Sequence, residues 1–365
     1  MTSFDERFAA AQDACTVSVL RGPRRTPAES FTALAAACEG FGIAKSDWYG
    51  AEGGAVELLE ARVAVLLGKP AAVFLPTGTM AQQAVLRVWC ERRRSLRVAL
   101  PDLAHPLAHE QDGPRLLHGF RFEHLTTGAT VPTAAHLAAV RGELGAAMIE
   151  LPLREAGCIA PTWDELQELS TAAHDRGVPL HVDGARLWEV APFYEGRSLA
   201  DLAGLFDSVY VSFYKGLGAF AGAAVAAPED VVADVRQWRR RMGGEMFQMT
   251  PYALSALLAL RDELPRMAEC VAWARTFATA ATANGLRVQP EVPQSTTFVL
   301  YADRPPAEIN DRLLAFLEQE RANLCARWRP TEVPGFAQCE IAVATPALAH
   351  DPVRIAEQVA QVALG

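Results

Sequence analysis

Short apolar runs alternate with amphipathic stretches between about residues 55 and 227 of the chain. The clearest run, 71–75, is apolar throughout and ends at Pro76, which predicts a buried strand. An apolar stripe at helical spacing predicts a helix over 57–67, and a second helix follows over about 80–91. The same pattern predicts a helix over 162–176 and further strands over 98–100, 120–124, 146–151, 179–182, 208–213 and 223–227. Strands that are apolar on both faces and alternate with helices indicate an α/β fold with a mostly parallel sheet flanked by helices.

The pattern changes after Pro228, where helical stretches dominate as far as about residue 283. The remaining chain predicts short strands over 287–289, 296–301, 323–328 and 340–344, with helices over 307–321 and from 351. This mixture is typical of a smaller α+β domain. We therefore predict an N-terminal arm (1–45), a large domain (46–245) and a small C-terminal domain (246–365).

Composition narrows the class of protein. The chain is 50% hydrophobic and 21% charged, as expected for a globular enzyme, and its net charge of −9 argues against a nucleic-acid partner. Seven cysteines include no C-x-x-C pair, which indicates reduced thiols rather than disulfides or a zinc site. We find no signal segment and no apolar stretch of membrane-spanning length. These features predict a cytoplasmic protein without a metal site and without a membrane partner.

Lysine is scarce in this chain, so each lysine is informative. Lys45, Lys69 and Lys215 are the only lysines among 34 basic residues. Lys215 follows the apolar run 209–213 and precedes several glycines, which suggests a closely packed loop. A lysine amine can lose its proton and condense with an aldehyde, which arginine cannot do. Lys215 is therefore the first candidate for a Schiff base, although a loop lysine whose amine reaches solvent is the alternative.

Two further motifs follow predicted strands, where ligands of open α/β sheets bind. The triplet Thr77-Gly78-Thr79 precedes a helix, so its backbone and hydroxyl groups can bind a phosphate at the helix N-terminus. An ordinary N-capped turn is the alternative. Asp183 ends the apolar strand over 179–182, where a carboxylate is costly unless a cation or donor pairs with it. For Asp183 the alternative is a cap on the following helix.

The three motifs together match the needs of pyridoxal 5′-phosphate. Its aldehyde requires a lysine, here Lys215, and its pyridine nitrogen requires a carboxylate, here Asp183. Its phosphate requires a glycine turn at a helix start, here Gly78 with its neighbours. The order of phosphate turn, aspartate and lysine along the chain supports this cofactor.

At these positions the chain resembles the threonine aldolase and β-eliminating lyase family of pyridoxal-phosphate enzymes. The resemblance runs from about residue 47 to 260 and is most specific at Trp48-Tyr49-Gly50, 75–81, 181–186 and 215–218. It implies the fold of pyridoxal-phosphate-dependent transferases, fold type I, with a smaller C-terminal α+β domain. It also implies a homo-oligomer, either a dimer or a homotetramer built from dimers, in which Tyr49 of a neighbouring chain reaches the substrate.

The resemblance also implies roles for individual residues. Lys215 would form the Schiff base and Asp183 would hold the pyridine nitrogen. Gly78 and Thr79 would hold the phosphate, and Arg186 would contact the cofactor or the substrate carboxylate.

A histidine segment extends this resemblance. His105 and Glu110 match the family's His-x-x-x-x-Glu pattern, which implies that His105 stacks on the pyridine ring. A histidine that caps a helix is the alternative for His105. His109 lies four residues on, on the same helical face, where an orienting or structural role is favoured over that of a base.

The chain also departs from the family pattern around the substrate. Gly22 stands where a serine is common, residues 340–345 lack the usual carboxylate-binding arginine, and residues 151–155 lack an expected histidine. Phe247 stands where an arginine often reaches the phosphate of a neighbouring chain. Arg154 can replace the missing carboxylate ligand, since guanidinium binds carboxylates in a bidentate manner. An ion pair with Glu155 is the alternative for Arg154.

The resemblance implies a pyridoxal-phosphate-dependent aldehyde-lyase of amino-acid metabolism. It would cleave the Cα–Cβ bond of a β-hydroxy-α-amino acid and release glycine and an aldehyde. His105, or a water that it orders, would take the proton of the β-hydroxyl group. The alternatives are β-elimination with the same cofactor and a non-catalytic binding protein of the same fold, against which the presence of Lys215 argues.

Overall fold

The computed structural model of the protein describes residues 3–19, 26–50 and 52–365. These residues form two compact units, one containing residues 26–264 and the other containing the N-terminal residues up to 19 together with residues 265–365. The sequence-based domain boundaries at 45 and 245 do not coincide with the limits of these units, and they stay predictions about domains. Gly22 lies outside the described residues.

The elements alternate along the larger unit as the apolar pattern predicts. The strands are β1 (Val17–Ser18), β2 (Ala71–Leu75), β3 (Arg97–Leu100), β4 (Arg121–His124), β5 (Ala146–Glu150), β6 (Leu180–Gly184), β7 (Ser208–Ser212), β8 (Ala223–Ala227), β9 (Arg287–Gln289), β10 (Thr297–Ala302), β11 (Ala322–Asn323), β12 (Arg329–Pro330) and β13 (Ala337–Ala342). The helices are α1 (Phe4–Asp13), α2 (Pro27–Gly40), α3 (Ala55–Leu67), α4 (Gly78–Arg93), α5 (His105–Ala108), α6 (Gly113–His118), α7 (Ala134–Ala139), α8 (Trp163–Asp175), α9 (Leu187–Val190), α10 (Leu199–Gly204), α11 (Glu229–Arg241), α12 (Thr250–Asp262), α13 (Met267–Ala283), α14 (Pro306–Glu320) and α15 (Pro352–Leu364).

A seven-stranded sheet in the order β2-β8-β7-β6-β5-β3-β4 forms the centre of the larger unit. The strands from β4 to β7 pair in parallel, while β8 is antiparallel to both of its neighbours. The loop between β7 and β8 is too short for a crossover helix, so the chain must reverse direction there. The mostly parallel α/β sheet of the sequence prediction is confirmed, with one antiparallel strand inside it.

One row of residues crosses this sheet where three neighbouring strands meet. Glu150 of β5 is the register partner of Asp183 in β6, and Asp183 is the register partner of Tyr210 in β7. All residues of these three strands are buried. Because register partners of a sheet point to the same face, two carboxylates and one phenol lie side by side on that face.

The smaller unit contains the four-stranded antiparallel sheet β12-β13-β10-β9 and a parallel pair of β1 with β11. Helix α1 joins this unit through an ion pair of 2.9 Å between Arg7 and Glu318.

The strand predicted over 323–328 is wrong beyond its first residue. There the backbone of Trp328 bonds to the Asn310 side chain, with Trp328 N to Oδ1 and Nδ2 to Trp328 O both 2.9 Å, instead of joining a ladder. Strand β13 also begins three residues before the predicted position.

No helix in the described part of the chain is long and apolar enough to cross a membrane.

Candidate active site

Asp183 is a carboxylate buried at the carboxyl end of β6, with 2% of its surface exposed. Its Oδ1 atom accepts a hydrogen bond of 3.0 Å from the backbone N–H of Ala185. The following helix α9 begins later and has Arg186 as its N-cap, so Asp183 does not cap it. Burial raises the pKa of Asp183. A carboxylate in this position is costly without a cationic partner, so the site favours a cationic ligand group.

His105 lies next to Asp183 and is held from two sides. Its backbone N–H donates to Glu150 Oε2 at 3.0 Å, and its Nδ1 atom lies 3.3 Å from Oε1 of the buried Glu110. Gln83 donates to the other oxygen of Glu110 at 2.8 Å. The hydrogen bond with Glu110 raises the pKa of His105, and the charge of Asp183 adds to this rise. The N-cap of α5 is Ala104, so His105 opens the helix without acting as its cap.

Lys215 is half-buried in the loop that follows β7, and its Nζ atom lies 5.1 Å from the centroid of the Tyr214 ring. Burial lowers the pKa of Lys215, and the charges of Arg186 and Arg154 lower it further. Asp183 opposes these effects, which places its carboxylate within electrostatic range of the amine. A lysine with a lowered pKa has more of the neutral amine at a given pH, and the neutral form condenses with aldehydes.

Glu189 is a buried residue of this group that the sequence analysis did not identify. Its Oε1 atom accepts a 2.9 Å hydrogen bond from Gly216 N, and its Oε2 atom lies 4.0 Å from Arg186 Nε. A Cβ atom on Gly216 would lie 2.5 Å from the carboxyl carbon of Glu189, so only glycine allows this contact. Glu189 thus holds the backbone next to Lys215 together with Arg186. A single glutamate within the apolar stretch 187–191 is the signal that could have revealed it.

The turn before α4 has the features of an anion site and of a capped helix at once. Thr77 is the N-cap, and its hydroxyl oxygen accepts a 3.2 Å hydrogen bond from Met80 N. Gly78 is buried, and a Cβ atom there would lie 2.1 Å from the Tyr210 hydroxyl oxygen. Thr79 is exposed on the first turn of the helix. Since Tyr210 is also the register partner of Asp183, this turn lies beside the buried carboxylate.

Arg154 takes part in an ion pair and also acts on the lysine. Its Nη1 atom lies 2.5 Å from Glu155 Oε1, and His109 Nε2 lies 2.8 Å from the same oxygen. The pairing with Glu155 that the sequence analysis left open is therefore present. The charge of Arg154 nevertheless lowers the pKa of Lys215, so its guanidinium lies near the amine.

Tyr49 belongs to an exposed aromatic cluster that we define as Trp48, Tyr49 and Phe247. The Tyr49 and Phe247 ring centroids lie 5.3 Å apart, and Trp48 stacks on Phe247 at 5.8 Å. All three side chains are more than half exposed. Among the described residues of one chain, Tyr49 makes its ring contacts in this cluster and not with the group around Lys215.

The described residues fit pyridoxal 5′-phosphate. A buried carboxylate whose pKa is raised needs a cationic partner, which a protonated pyridine provides. A lysine whose pKa is lowered offers an amine for the aldehyde. Helix α4 begins at Gly78, and the backbone N–H groups of its first turn can receive the phosphate.

Comparisons with known proteins agree on one family. The model of the family described as β-eliminating lyase matches residues 41–303. Low-specificity L-threonine aldolase 1 of Arabidopsis thaliana is 30% identical over 219 residues, which are 57% of this chain and 61% of that protein. The match thus spans less than two thirds of this curated relative.

Two crystal structures are similar over nearly the whole chain. A candidate L-allo-threonine aldolase from Listeria monocytogenes EGD-E is 33% identical, with 99% of both chains covered and a TM-score of 0.90. A candidate aromatic amino acid β-eliminating lyase/threonine aldolase from Exiguobacterium sp. 255-15 is also 33% identical. It covers 97% of this chain and 99% of its own, with a TM-score of 0.88.

Proposed function

The chain belongs to the β-eliminating lyase family of pyridoxal-phosphate enzymes of fold type I, and on this premise we propose that it is an aldehyde-lyase. Its substrate would be a β-hydroxy-α-amino acid, whose Cα–Cβ bond is cleaved to give glycine and an aldehyde. The observation that carries this proposal is that a half-buried Lys215 of lowered pKa lies within electrostatic range of the buried carboxylate of Asp183. The similarity to the Listeria protein supports the choice of reaction.

The cofactor would be held by residues of four elements. Lys215 would attach it covalently, Asp183 would keep the proton on its ring nitrogen, and Gly78 with Thr79 would bind its phosphate. The His105 ring would cover one face of the pyridine. When bound, the cofactor supplies an electron sink for the bond that breaks at Cα.

Proton transfer at the β-hydroxyl group is assigned to His105. Its Nδ1 atom is engaged by Glu110, which leaves Nε2 for the substrate or for a water that His105 orders. Glu110 is itself held by Gln83, so the imidazole keeps one orientation. An imidazole held in one orientation is a common general base for such a proton.

The substrate carboxylate is assigned to Arg186 and Arg154, whose charges both act on Lys215. The bond at Cα that breaks is the one that stands perpendicular to the cofactor ring. The residues that bind the substrate carboxylate orient the substrate and therefore decide which reaction takes place. The ion pair with Glu155 restrains Arg154. We also propose that Tyr49 of a neighbouring chain completes this part of the site.

Replacing Arg154 with glutamine is expected to raise KM for the amino acid by roughly tenfold or more, with a smaller change in kcat. The reason is that a charge-assisted hydrogen bond contributes about 1.5–3 kcal/mol, and this one would form in the ground state already. Steady-state kinetics on the holoenzyme would measure both constants. Arg93→Gln is the matched control, because Arg93 also pairs with a glutamate, Glu143, at 3.1 Å. An unchanged KM in Arg154→Gln would remove Arg154 from the carboxylate site.

Product analysis tests the reaction itself. The holoenzyme would be incubated with L-threonine, L-allo-threonine and a panel of β-substituted amino acids. Equal amounts of glycine and aldehyde are expected. A keto acid together with ammonia would instead establish β-elimination, which the family description names and the description of the Exiguobacterium relative names beside threonine aldolase. Unchanged amino acids in the presence of bound cofactor would indicate a binding protein.

We also propose a cytoplasmic homo-oligomer, either a dimer or a tetramer built from two dimers, that acts on a small amino acid and binds neither nucleic acid nor membrane. The exposed cluster of Trp48, Tyr49 and Phe247 supports self-association, since large exposed aromatic groups are enriched at protein interfaces.

A further inference from the structure

A line of buried polar side chains leads to Asp183 from the interior of the larger unit. Trp89 Nε1 donates to Ser208 Oγ at 2.8 Å, and the same oxygen lies 2.8 Å from His181 Nδ1. His181 Nε2 lies 2.7 Å from Gln82 Oε1. His181, Ser208 and Gln82 are at most 1% exposed, so bulk water cannot replace these partners. None of the assigned catalytic roles uses them.

One assignment of the protons, starting from a fixed donor, satisfies every group in this line. The indole N–H of Trp89 can only donate, so Ser208 Oγ accepts from it. The Ser208 hydroxyl then has its own hydrogen to donate to His181 Nδ1. His181 is neutral, because burial lowers its pKa to about 3, so its single proton is on Nε2 and is donated to Gln82 Oε1. This arrangement gives each donor an acceptor.

The far end of the Gln82 amide is a buried donor directed at Asp183. Gln82 Nε2 has no partner of good hydrogen-bond geometry among the described residues. Burial raises the pKa of Asp183, and the Gln82 amide is one of the groups that lower it. The Gln82 amide thus lies within reach of the Asp183 carboxylate, and an N–H group turned toward it would stabilise the ionised form.

We propose that His181 is a positioning residue that turns the Gln82 amide so that its N–H group faces Asp183 and keeps this carboxylate ionised. An ionised Asp183 is what the ring nitrogen of the cofactor requires. The inference therefore rests on the proposed role of Asp183, and it adds Ser208, His181 and Gln82 to the residues that determine how tightly the cofactor binds.

The opposite polarity is available to the same side chains, which makes the proposal testable. His181 Nδ1 also lies 3.1 Å from the backbone oxygen of Ser208. Without the Ser208 hydroxyl, Nδ1 can carry the proton and donate it to this carbonyl. Nε2 then becomes an acceptor, Gln82 turns its N–H toward His181, and Gln82 Oε1 faces Asp183. In that state the Gln82 Oε1 atom and the Asp183 carboxylate are two acceptors that face each other, unless Asp183 binds a proton.

Ser208→Ala is the informative variant, with Ser208→Thr as its hydroxyl-restoring control. Nitrogen NMR of histidine-labelled protein reports which ring nitrogen carries the proton, and His181→Asn identifies the signal of His181. We expect the Nε2–H form in the wild-type protein and in Ser208→Thr, and the Nδ1–H form in Ser208→Ala. The dissociation constant of pyridoxal 5′-phosphate is expected to rise about tenfold in Ser208→Ala and in Gln82→Met, and to stay near the wild-type value in Ser208→Thr.

The outcomes separate this inference from the proposed function. An Nδ1–H signal for His181 in the wild-type protein would overturn the inference without any variant having to fold. A tautomer change in Ser208→Ala that leaves cofactor affinity unaltered would also overturn it. Wild-type protein that binds no pyridoxal 5′-phosphate would instead contradict the proposed function, and the inference with it.

Discussion

Replacing Lys215 with alanine is expected to abolish covalent attachment of the cofactor and to lower kcat for amino-acid cleavage by at least about a thousandfold. Lys215 provides an amine, and its lowered pKa increases the fraction of that amine that is neutral at a given pH. Lys69 cannot replace it, since its amine donates to the backbone oxygen of Phe206. Lys45 lies far from Lys215 in the sequence, and its side chain is exposed.

Borohydride reduction followed by peptide mapping measures the attachment directly. The three lysines give three separable peptides, and we expect the reduced cofactor on the peptide of Lys215 alone. Lys45→Ala is the matched control and should retain both attachment and activity. A cofactor adduct on another lysine, or a Lys215→Ala variant with normal turnover, would contradict the proposed function.

The pH dependence of Lys215 gives a second readout in the cofactor-free protein. Burial, Arg186 and Arg154 all lower the pKa of Lys215, so its neutral amine persists to lower pH than that of an ordinary lysine. Competitive acylation across a pH series is expected to give a midpoint for Lys215 below that of a lysine in a short model peptide. A midpoint at or above that of the peptide would mean that the site does not prepare the amine for condensation.

Asp183→Asn is expected to weaken cofactor binding and to lower kcat together by roughly a hundredfold or more. Removing one partner of a buried charge pair typically costs about 3–5 kcal/mol, because the other charge remains buried and unpaired. Asparagine keeps the shape of the side chain and removes the charge that would hold the ring proton. Cofactor titration and steady-state kinetics would measure the two effects.

Glu150→Gln is the comparison variant for Asp183. Glu150 is the register partner of Asp183, and burial together with the Asp183 charge raises its pKa to about 7. A group with this pKa is protonated over the acidic range, so the neutral glutamine resembles a state that Glu150 already populates. We expect a much smaller loss than in Asp183→Asn. Equal losses of cofactor affinity and kcat in the two variants would show that the charges of both Glu150 and Asp183 are needed.

The elements of the large sheet were predictable because local signals marked their ends. The strands over 71–75 and 223–227 match the prediction to the residue, since Pro76 and Pro228 end the two apolar runs. Helix α4 extends beyond the predicted range at both ends. The segment 323–328 was mispredicted because its buried residues Leu324, Cys325 and Trp328 give the same apolar signal as a strand. The backbone of Trp328 bonds to the Asn310 side chain, and an apolar pattern does not report such a contact.

The sequence also predicted residues of the candidate site, and their roles stay proposals. Lysine scarcity identified Lys215, and the cost of a carboxylate at a strand end identified Asp183. Of the two alternatives left open for Arg154, the ion pair with Glu155 is present, and binding of the substrate carboxylate stays a proposal. The carboxylate of Glu189 was missed, since its importance comes from contacts with Gly216 and Arg186 that folding creates.

The amino-acid sequence by itself determined the order of the strands and helices, the family and the cofactor chemistry. These depend on local apolar periodicity and on side chains whose chemistry is rare, such as the amine of Lys215. Only the tertiary structure decided the protonation and orientation of the groups. His181 meets Gln82 across 99 positions of the chain, and Trp89 meets Ser208 across 119. Burial and contacts between residues far apart in the sequence determine the pKa of a group and the direction of its hydrogen bonds. Burial and these contacts form only when the chain folds.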